Sequence, residues 1–389
     1  MFSHFPLLLL FLGLTKAYNL KTHPLESRIL YVYGFKNIYA INKENKEVLQ
    51  TLFKKHPLMI FKGLDQVSPK EFLNFVKQFD SDRDEEALEK PEEKHTQMLQ
   101  PFDQFPDCNH VAPRGNVELR DFYNIKEIKI TPYDAFVNNY VWHTDILGHD
   151  YKMPNVITGF YIIEQPQIGG DTDFISGETI YEHLSTEEQV ASKNILMEIN
   201  RRKFVTNTLK IDYAGICRSE EYVEGTEGGN QLPLVTAPDD ATENFRVLLQ
   251  PTFFEKVVGW SVKESREWIT KFMVEKVLPY RVSVQWQKGD LAVFNNRRFM
   301  HSSTPTRFYT DNKYSSKRLL LQTFIPTKRP LLGVIPSEMG VYAAYNLKWI
   351  PDQEKAIISA HNCIKYGIRI SMENNSTVSN KGIYVMKTI

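Results

Sequence analysis

Short strand-like runs recur along the chain from residue 125 to residue 326, and this pattern constrains the fold more than any other feature. The runs are rich in β-branched and aromatic residues and are separated by turn residues. Multiple short strands at such spacing favour a sandwich or barrel over a parallel sheet with crossover helices. The runs are IKEIKITP, FVNNYVWHTD, NVITGFYIIEQP, RVSVQW, LAVFNN and RLLLQTFIP.

Helical patterns flank these strands. Residues 46–80 predict a helix, a short strand at Leu58–Leu64 and a second helix that begins after Ser68, with apolar residues at helical spacing. Two further helical patterns cover Tyr181–Phe204 and Ser261–Val277. We therefore predict a mostly β protein with flanking helices, of the α+β class.

The composition limits the class of partner. Lysine plus arginine and aspartate plus glutamate each total 47, so the chain carries no net charge at pH 7. Because the chain has no net positive charge to attract polyanions, we expect a small-molecule substrate and no nucleic-acid partner. The three cysteines, Cys108, Cys217 and Cys363, allow at most one disulfide. The sequence is compatible with a monomer or with a homo-oligomer.

The N-terminus has the pattern of a secretory signal peptide. Pro6–Leu14 is an apolar run, and Thr15–Ala17 supplies small residues at a cleavage point, so residues 1–17 predict a signal peptide and a secretory location. The alternatives are an apolar N-terminal strand or helix and a cytoplasmic location. Nine apolar residues cannot span a bilayer, for which about 20 are needed, so we expect no membrane anchor. Glycosylation sequons at Asn374 and Asn375 fit passage through the secretory lumen.

Two segments lie outside the strand pattern. Asp80–Lys94 is dense in charge, which predicts a solvated loop or a short exposed helix, with a lid over the substrate as the alternative. Beyond residue 336 the pattern is weak. We divide the chain into residues 1–17, a domain over residues 18–336 and a C-terminal extension over residues 337–389.

Three residues are candidates for a metal site. His143 and Asp145 in VWHTD are two residues apart, so on a strand both side chains project to the same side. His301 follows the apolar strand LAVF and a polar stretch, which predicts a position at a barrel mouth. Two imidazoles and one carboxylate form the facial triad that binds Fe(II) with open coordination positions. A zinc hydrolase is less favoured, because His149 lies six residues after His143 rather than four.

A cationic residue lies close to a further apolar strand. In KRLLLQTFIP, the side chains of Arg318, Leu320 and Gln322 are expected on one strand face, which would direct Arg318 into apolar surroundings. A buried guanidinium needs an anionic partner, and its planar shape suits a carboxylate. The sequence allows two partners for Arg318, a bound ligand and an acidic residue in a structural salt bridge.

Five motifs, in the same order, resemble those of the taurine/2,4-D dioxygenase (TauD/TfdA-like) family over residues 55 to 326. They are GLDQVSPKEFLNFVKQF, WHTD, GGDTDF, WQKGDLAVFNNRRFMH and the strand after Arg318. The resemblance implies a double-stranded β-helix, or jelly roll, and an Fe(II)- and 2-oxoglutarate-dependent dioxygenase. It places the metal ligands at His143, Asp145 and His301. It places the 2-oxoglutarate contacts at Thr172 and Arg318.

The reaction that this resemblance implies consumes O2, converts 2-oxoglutarate to succinate and CO2, and oxidises, usually hydroxylates, a C–H bond of a small organic substrate. Trp142, Phe136 and Phe294 are candidates for the apolar walls that shield such chemistry, although core packing is the more expected role of these aromatics. The alternatives are a non-catalytic jelly-roll binding protein and a sulfonate- or sulfate-ester-cleaving family member. The complete triad argues against the binding protein.

Two positions bear on the substrate. Asn139 matches a substrate-pocket position of the taurine-cleaving members. Gln322 stands where those members carry an arginine that binds the sulfonate, and an uncharged amide cannot replace that charge. Taurine itself is therefore disfavoured. The interval from His301 to Arg318 is also longer than in those members, with FYTDNKYSS inserted.

Overall fold

The computed structural model describes residues 19–38, 43–89, 105, 107–126, 129–130, 140–145, 154–199, 214–216, 230–238, 244–304, 317–334, 337–349, 352, 354–355, 357–358, 361 and 383–386. Outside these residues lie the predicted signal peptide, the FYTDNKYSS insertion, both sequons, and Phe136, Asn139, His149, Cys217 and Cys363. No helix within the described ranges has the length and apolar character needed to cross a bilayer.

Two facing sheets form the centre of the fold, with strands numbered in chain order. The major sheet has the spatial order β1 (Asn19–Thr22), β2 (Ile29–Tyr33), β3 (Leu58–Phe61), β13 (Leu291–Asn295), β5 (Ile157–Glu164), β15 (Leu319–Ile325) and β4 (Val111–Gly115). The minor sheet has the order β12 (Val282–Val284), β6 (Thr172–Ser176) and β14 (Phe299–Ser303). Their paired strands are antiparallel, except that β2 and β3 are parallel.

Two smaller sheets and eight helices complete the described part of the chain. One sheet has the order β10 (Arg246–Val247), β9 (Val235–Thr236), β16 (Leu331–Val334) and β17 (Ile383–Met386), and the other β11 (Phe254–Val257), β7 (Leu196–Ile199) and β8 (Asn230–Pro233). The helices are α1 (Lys43–Lys55), α2 (Pro69–Val76), α3 (Glu85–Glu89), α4 (Arg120–Tyr123), α5 (Gly177–His183), α6 (Thr186–Ser192), α7 (Val262–Phe272) and α8 (Glu338–Asn346).

Apolar side chains fill the space between the major and minor sheets. Phe160 and Phe294 of the major sheet meet Phe174 and Phe299 of the minor sheet, in a cluster that is almost fully buried. Separate apolar clusters cover the outer face of each sheet, beneath the helices. The predicted mostly β architecture with flanking helices is confirmed.

The helix α2 shows how the sequence builds one of these layers. The helix begins after Ser68, as the sequence predicted, and Ser68 and Glu71 form a capping box at its start. Phe72 and Val76 then face the major sheet and are fully buried. Gly159 of β5 lies directly beneath them, and a Cβ atom there would come within 2.6 Å of Val76 Cγ2. The absence of a side chain at Gly159 therefore lets α2 pack close to the sheet.

The helix predicted over Tyr181–Phe204 is wrong in its second half. The helix α5 ends at His183, and Ser185 caps a separate helix, α6. Leu196–Ile199 then form the strand β7, which pairs with β8 on one side and β11 on the other. Hydrogen bonds to two neighbouring strands and burial of this apolar run outweigh its local helix propensity.

The charged segment from Asp80 is described as far as Glu89. It contains a short helix with no buried residue, α3, as predicted. Its first residue departs from the expectation of a solvated loop, because Asp80 is fully buried. Arg329 contacts Asp80 at 3.6 Å and Asp82 at 2.8 Å. The start of the segment is therefore anchored to the chain that follows β15.

The described part of the C-terminal extension is built into the fold. The helix α8 packs against α6, and Asn194 Nδ2 donates to the carbonyl of Ser337 at 3.2 Å. The strand β17 pairs with β16, with Tyr384 opposite Gly333. These contacts fix both elements against the domain that precedes them.

Candidate active site

The three predicted metal ligands meet between the two sheets. Asp145 Oδ1 lies 3.5 Å from His143 Nε2, and Asp145 Oδ2 lies 3.5 Å from His301 Nε2. One nitrogen or oxygen atom from each residue lies within 4.8 Å of the other two. This spacing allows one ion to contact all three residues.

The backbone of β14 holds the first ligand in place. The residues 140–145 were predicted as part of a strand, but the structure gives them only an isolated bridge between His143 and His301. The amide of His143 donates to the carbonyl of His301 at 3.0 Å, and the reciprocal bond is 2.9 Å. Ser302 Oγ accepts from the amide of Val141 at 2.8 Å. Two ligands far apart in sequence are thus joined by direct main-chain hydrogen bonds.

Two buried side-chain amides hold the residues that follow His143. Gln250 accepts from the amide of Thr144 at 3.1 Å and donates to its carbonyl at 2.6 Å. Asn296 accepts from the amide of Asp145 at 2.7 Å and donates to its carbonyl at 2.7 Å. Each side chain therefore replaces a neighbouring strand. Sequence reasoning did not identify either residue, although Asn296 lies in the polar stretch before His301.

The protonation states suit metal binding. His143 Nδ1 lies 2.6 Å from the carbonyl of Val141, which can only accept, so Nδ1 donates to this carbonyl and Nε2 is the nitrogen directed towards Asp145. Burial lowers the pKa of His301 to about 3 against the opposing charge of Asp145, so the His301 ring is neutral at pH 7. Burial raises the pKa of Asp145, but the influence of His301 and His143 outweighs it, and the net pKa is lowered. The site presents two imidazole rings and one carboxylate.

Aromatic rings enclose the metal ligands. The ring of Phe294 lies 5.2 Å from that of His301, and the rings of Phe160 and Phe174 each lie 5.9 Å from it. Phe294 therefore lines the site as well as filling the core. Trp142 instead packs in the apolar cluster outside the minor sheet, which confirms its expected core role.

Two hydroxyl groups lie further along the same inner face. Thr172 of β6 is paired with Ser303 of β14, two residues beyond His301. Thr172 Oγ1 accepts a hydrogen bond from Trp286 Nε1 at 2.9 Å. Ser303 Oγ is buried and has no hydrogen-bond partner in the described part of the chain. Such a hydroxyl needs a partner, and a ligand between the sheets would supply one.

Arg318 lies at the same end of the site, but not on the strand as predicted. The strand β15 begins at Leu319, and its register with β5 shifts between Leu319 and Leu320. Leu320, which packs between the two sheets, and Gln322 share the predicted strand face, and Arg318 lies just before the strand. Arg318 is partly buried, and its charge opposes the rise that burial causes in the pKa of Asp171.

A sequence model of the "Taurine catabolism dioxygenase TauD, TfdA family" matches residues 24–323 of this chain. The chain belongs to the TauD, TfdA family. A taurine dioxygenase from Burkholderia xenovorans has the same fold, with a TM-score of 0.55 and 15% identity over 82% of this chain and 93% of that protein. AAD-2, solved with Mn(II) and N-oxalylglycine, gives a TM-score of 0.55 at 14% identity over 80% of this chain and 98% of its own. The predicted jelly roll is confirmed.

One similar relative of this TauD, TfdA family chain is an alkylsulfatase from Acinetobacter baylyi. The two are 27% identical over 164 residues, which are 41% of this chain and 50% of the alkylsulfatase. The chain therefore spans about half the length of that curated relative. This match does not assign the substrate of the alkylsulfatase to this chain.

Gln322, which we predicted at a substrate position of the TauD, TfdA family, contacts a second polar side chain. Gln322 lies opposite Phe160 of β5 and accepts a hydrogen bond from Arg114 Nε at 2.9 Å. Arg114 belongs to β4 and lies opposite Leu320. Arg114 was not predicted as a site residue, because it lies in a stretch without a recognisable motif. Asn139 lies outside the described residues.

Proposed function

We propose that this chain is an Fe(II)- and 2-oxoglutarate-dependent dioxygenase that oxidises a C–H bond of a small organic substrate. The observation that supports this most directly is the geometry of His143, Asp145 and His301, whose two imidazole rings and one carboxylate each bring a ligand atom within 4.8 Å of the other two. Two nitrogens and one oxygen suit non-haem Fe(II), and three protein ligands leave positions for a chelating cosubstrate and O2. Zinc more usually takes further nitrogen or sulfur ligands in a tetrahedral site.

The bound iron would supply O2 activation, coupled to the conversion of 2-oxoglutarate to succinate and CO2. The residues of the protein would bind 2-oxoglutarate and shield the reacting atoms from water. We assign the binding of the distal carboxylate of 2-oxoglutarate to Arg318 and to the hydroxyl groups of Thr172 and Ser303. The indole of Trp286 occupies an acceptor position of Thr172 Oγ1, which leaves the hydroxyl proton for the ligand. The phenylalanine rings around His301 exclude water from the reacting atoms.

Cleavage of a sulfate ester is the second candidate, and the similarity to an alkylsulfatase favours it. Hydroxylation of the carbon that bears the sulfate oxygen gives an unstable product. That product releases sulfate and an aldehyde, so the same oxidation yields cleavage without a hydrolytic residue. The two candidates differ only in the substrate that the pocket admits.

Succinate formation tests the proposed function. We expect purified protein without residues 1–17 to produce succinate from 2-oxoglutarate only with Fe(II) and O2, in a screen of hydroxylatable and sulfate-ester substrates. N-oxalylglycine should inhibit the reaction, and Asp145→Ala should abolish it. A binding protein or a zinc hydrolase would form no succinate, and that result with metal-loaded protein would overturn the proposal.

We also propose that the protein enters the secretory pathway, on the basis of the apolar run at Pro6–Leu14. Expression in eukaryotic cells with and without residues 1–17 tests this. The full chain should appear in the lumen or medium, with a glycosidase-sensitive mass at Asn374 or Asn375. Equal cytoplasmic recovery of both forms would contradict it.

A further inference from the structure

The carboxylate of Asp145 receives a hydrogen bond from a threonine that sequence reasoning did not identify. Thr158 of β5 donates from Oγ1 to Asp145 Oδ2 at 3.3 Å. Thr158 is fully buried, and its side chain lies on the same strand face as Phe160, which packs between the two sheets. The hydroxyl group therefore reaches the carboxylate from the major sheet, whereas the ligand His301 belongs to the minor sheet.

A buried asparagine determines where the hydroxyl proton of Thr158 points. Asn155 Nδ2 donates to Thr158 Oγ1 at 3.0 Å and to the carbonyl of Ile157 at 2.7 Å. An amide nitrogen can only donate, so Thr158 Oγ1 accepts from Asn155 and its single proton is left for Asp145. Asn155 therefore fixes Thr158 as a donor to the carboxylate.

Asn296 connects this pair to the main chain of Asp145. Asn296 Nδ2 donates to the carbonyl of Asn155 at 3.0 Å and to the carbonyl of Asp145 at 2.7 Å. Its Oδ1 accepts from the amide of Asp145. The hydrogen bonds thus form a closed circuit that holds Asp145 at its main chain and, through Thr158, at the end of its side chain. A carboxylate held at both ends has little freedom to rotate.

This restraint bears on how many oxygens Asp145 offers to a metal ion. A carboxylate binds a metal through one oxygen or through both. Thr158 donates to Oδ2, and Oδ1 lies 3.5 Å from His143 Nε2, on the side of the first ligand. The hydroxyl group therefore stabilises Oδ2 as a hydrogen-bond acceptor and leaves Oδ1 for the metal.

We propose that Thr158, oriented by Asn155, is a positioning residue that restricts Asp145 to one metal-binding oxygen. This inference rests on the proposed function, because it requires an ion held by the three ligands. A second bound oxygen would occupy one of the coordination positions that the cosubstrate and O2 need. Thr158 therefore keeps that position open.

The number of water molecules bound to Mn(II) tests this assignment. With one oxygen from Asp145, about three positions remain for water, and with two oxygens about two remain. We expect about three waters per ion in the unaltered protein, measured at saturating Mn(II) by water proton relaxation and by EPR broadening in isotope-labelled water. Thr158→Val keeps the branched shape and removes the hydroxyl group, so the count should fall by roughly one third. Thr158→Ala should give the same fall.

Two further variants separate the hydroxyl group from the fold. Thr158→Ser keeps the donor and should keep the water count of the unaltered protein. Thr323→Val is the matched control, because Thr323 is fully buried on the neighbouring strand β15 and donates to the carbonyl of His110 at 2.7 Å. It removes an equally buried hydroxyl group that contacts no metal ligand, and it should leave the count unchanged.

Three results would overturn the assignment. One is a count of about two in the unaltered protein, which needs no variant and would mean that Asp145 binds through both oxygens. Another is an unchanged count in both hydroxyl-free variants, even with a lower Mn(II) affinity, since Thr158 would then strengthen the ligand without setting its number of oxygens. The third is a loss of Mn(II) binding in both variants, because a carboxylate free to use both oxygens should still bind.

The same measurements distinguish this failure from failure of the proposed function. If the unaltered protein does not bind Mn(II), the proposed function fails and the role of Thr158 fails with it. If the unaltered protein binds Mn(II) and forms succinate while any of the three results is found, only the role of Thr158 is overturned.

Discussion

At the residue scale, sequence motifs identify the metal ligands of the site but not the side chains that hold those ligands in place. His143, Asp145 and His301 were predicted because their residue types and motifs match a facial triad, and the structure brings them together. Asn296 and Gln250 were not predicted, since each acts on the main chain of a distant segment. Such contacts depend on how strands are placed in space, which residue identity does not encode.

The triad itself gives the first prediction. His143→Ala and His301→Ala should each abolish Mn(II) binding, because two protein ligands are too few to hold the ion. In the unaltered protein, Mn(II) at 100 times its Kd should raise the free energy of unfolding by about 2.7 kcal/mol, and neither variant should show this gain. Thermal unfolding with and without metal measures it. His183→Ala, at a histidine whose Nδ1 contacts the carbonyl of Thr179, should keep the full gain.

The support from Asn296 gives the second prediction. Asn296→Ala removes both hydrogen bonds to the main chain of Asp145, so the carboxylate should lose its fixed position. We expect the Mn(II) affinity to fall about 10- to 100-fold, as for other outer groups that orient metal ligands. Calorimetric titration measures this affinity. Asn295→Ala, at the neighbouring residue whose side chain accepts from the amide of Arg297, should change it far less. Equal losses would contradict the assignment.

The buried hydroxyl of Ser303 gives the third prediction. Ser303→Ala should weaken N-oxalylglycine binding to the Mn(II) protein about tenfold, because a hydrogen bond to a charged group is lost. Oxalate, which lacks the distal carboxylate, serves as the comparison ligand. Its affinity should be unchanged in the variant. A parallel loss for both ligands would mean that Ser303 affects the metal and not the cosubstrate.

At the scale of elements, the predictions succeeded where a segment carries its own signals. The helix α2 has a capping box and an apolar face, and β5 is a continuous apolar run in the centre of a sheet. The strand β7 was predicted as helix because its pairing partners lie elsewhere in the sequence. The VWHTD segment was predicted as strand, but side-chain amides take the place of a neighbouring strand there. Local patterns therefore identify elements whose own residues carry the signal, as in α2 and β5, and they fail where distant partners decide between helix and strand, as in β7.

The contact between α2 and β5 gives a prediction at this scale. Gly159→Ala places a Cβ atom 2.6 Å from Val76 Cγ2, so the helix must move and the protein should lose about 1–3 kcal/mol of stability. Urea unfolding measures the change. Val76→Ala removes Cγ1 and Cγ2, the two nearest atoms that the new methyl group meets. The double variant should lose less than the sum of the single losses, and simple additivity would show that the clash is not the cause.

At the scale of the whole molecule, a buried ion network joins distant parts of the chain. Glu178 of α5 accepts from Arg28 Nε at 2.8 Å and from Arg298 Nη2 at 3.0 Å. Arg298 also donates to the carbonyl of Lys54, the penultimate residue of α1. The network thus connects the N-terminal strands, α1, α5 and the start of β14. Its hydrogen-bonded partners lie up to 244 residues apart, so the sequence could not reveal it.

Neutralising this network gives the last prediction. Glu178→Gln leaves two guanidinium groups facing an uncharged amide, and loss of one partner of a buried pair typically costs about 3–5 kcal/mol. Urea unfolding should show a loss of this size. Glu182→Gln is the control, because Glu182 contacts the same Arg28 but is 39% exposed, and exposed pairs contribute about 1 kcal/mol or less. Equal losses would mean that burial does not determine the strength of the network.

The position of β5 between β13 and β15 has a consequence for biosynthesis. Tyr161 pairs with Leu291 on one side and with Leu321 on the other, so both edges of β5 lack their partners until the last third of the chain has been made. A ribosome adds roughly 5–20 residues per second, so this apolar strand emerges on the order of ten seconds before its neighbours. Unpaired apolar edges promote association between chains. Fragments that stop before Leu291 leave both edges of this strand unpaired and should therefore aggregate.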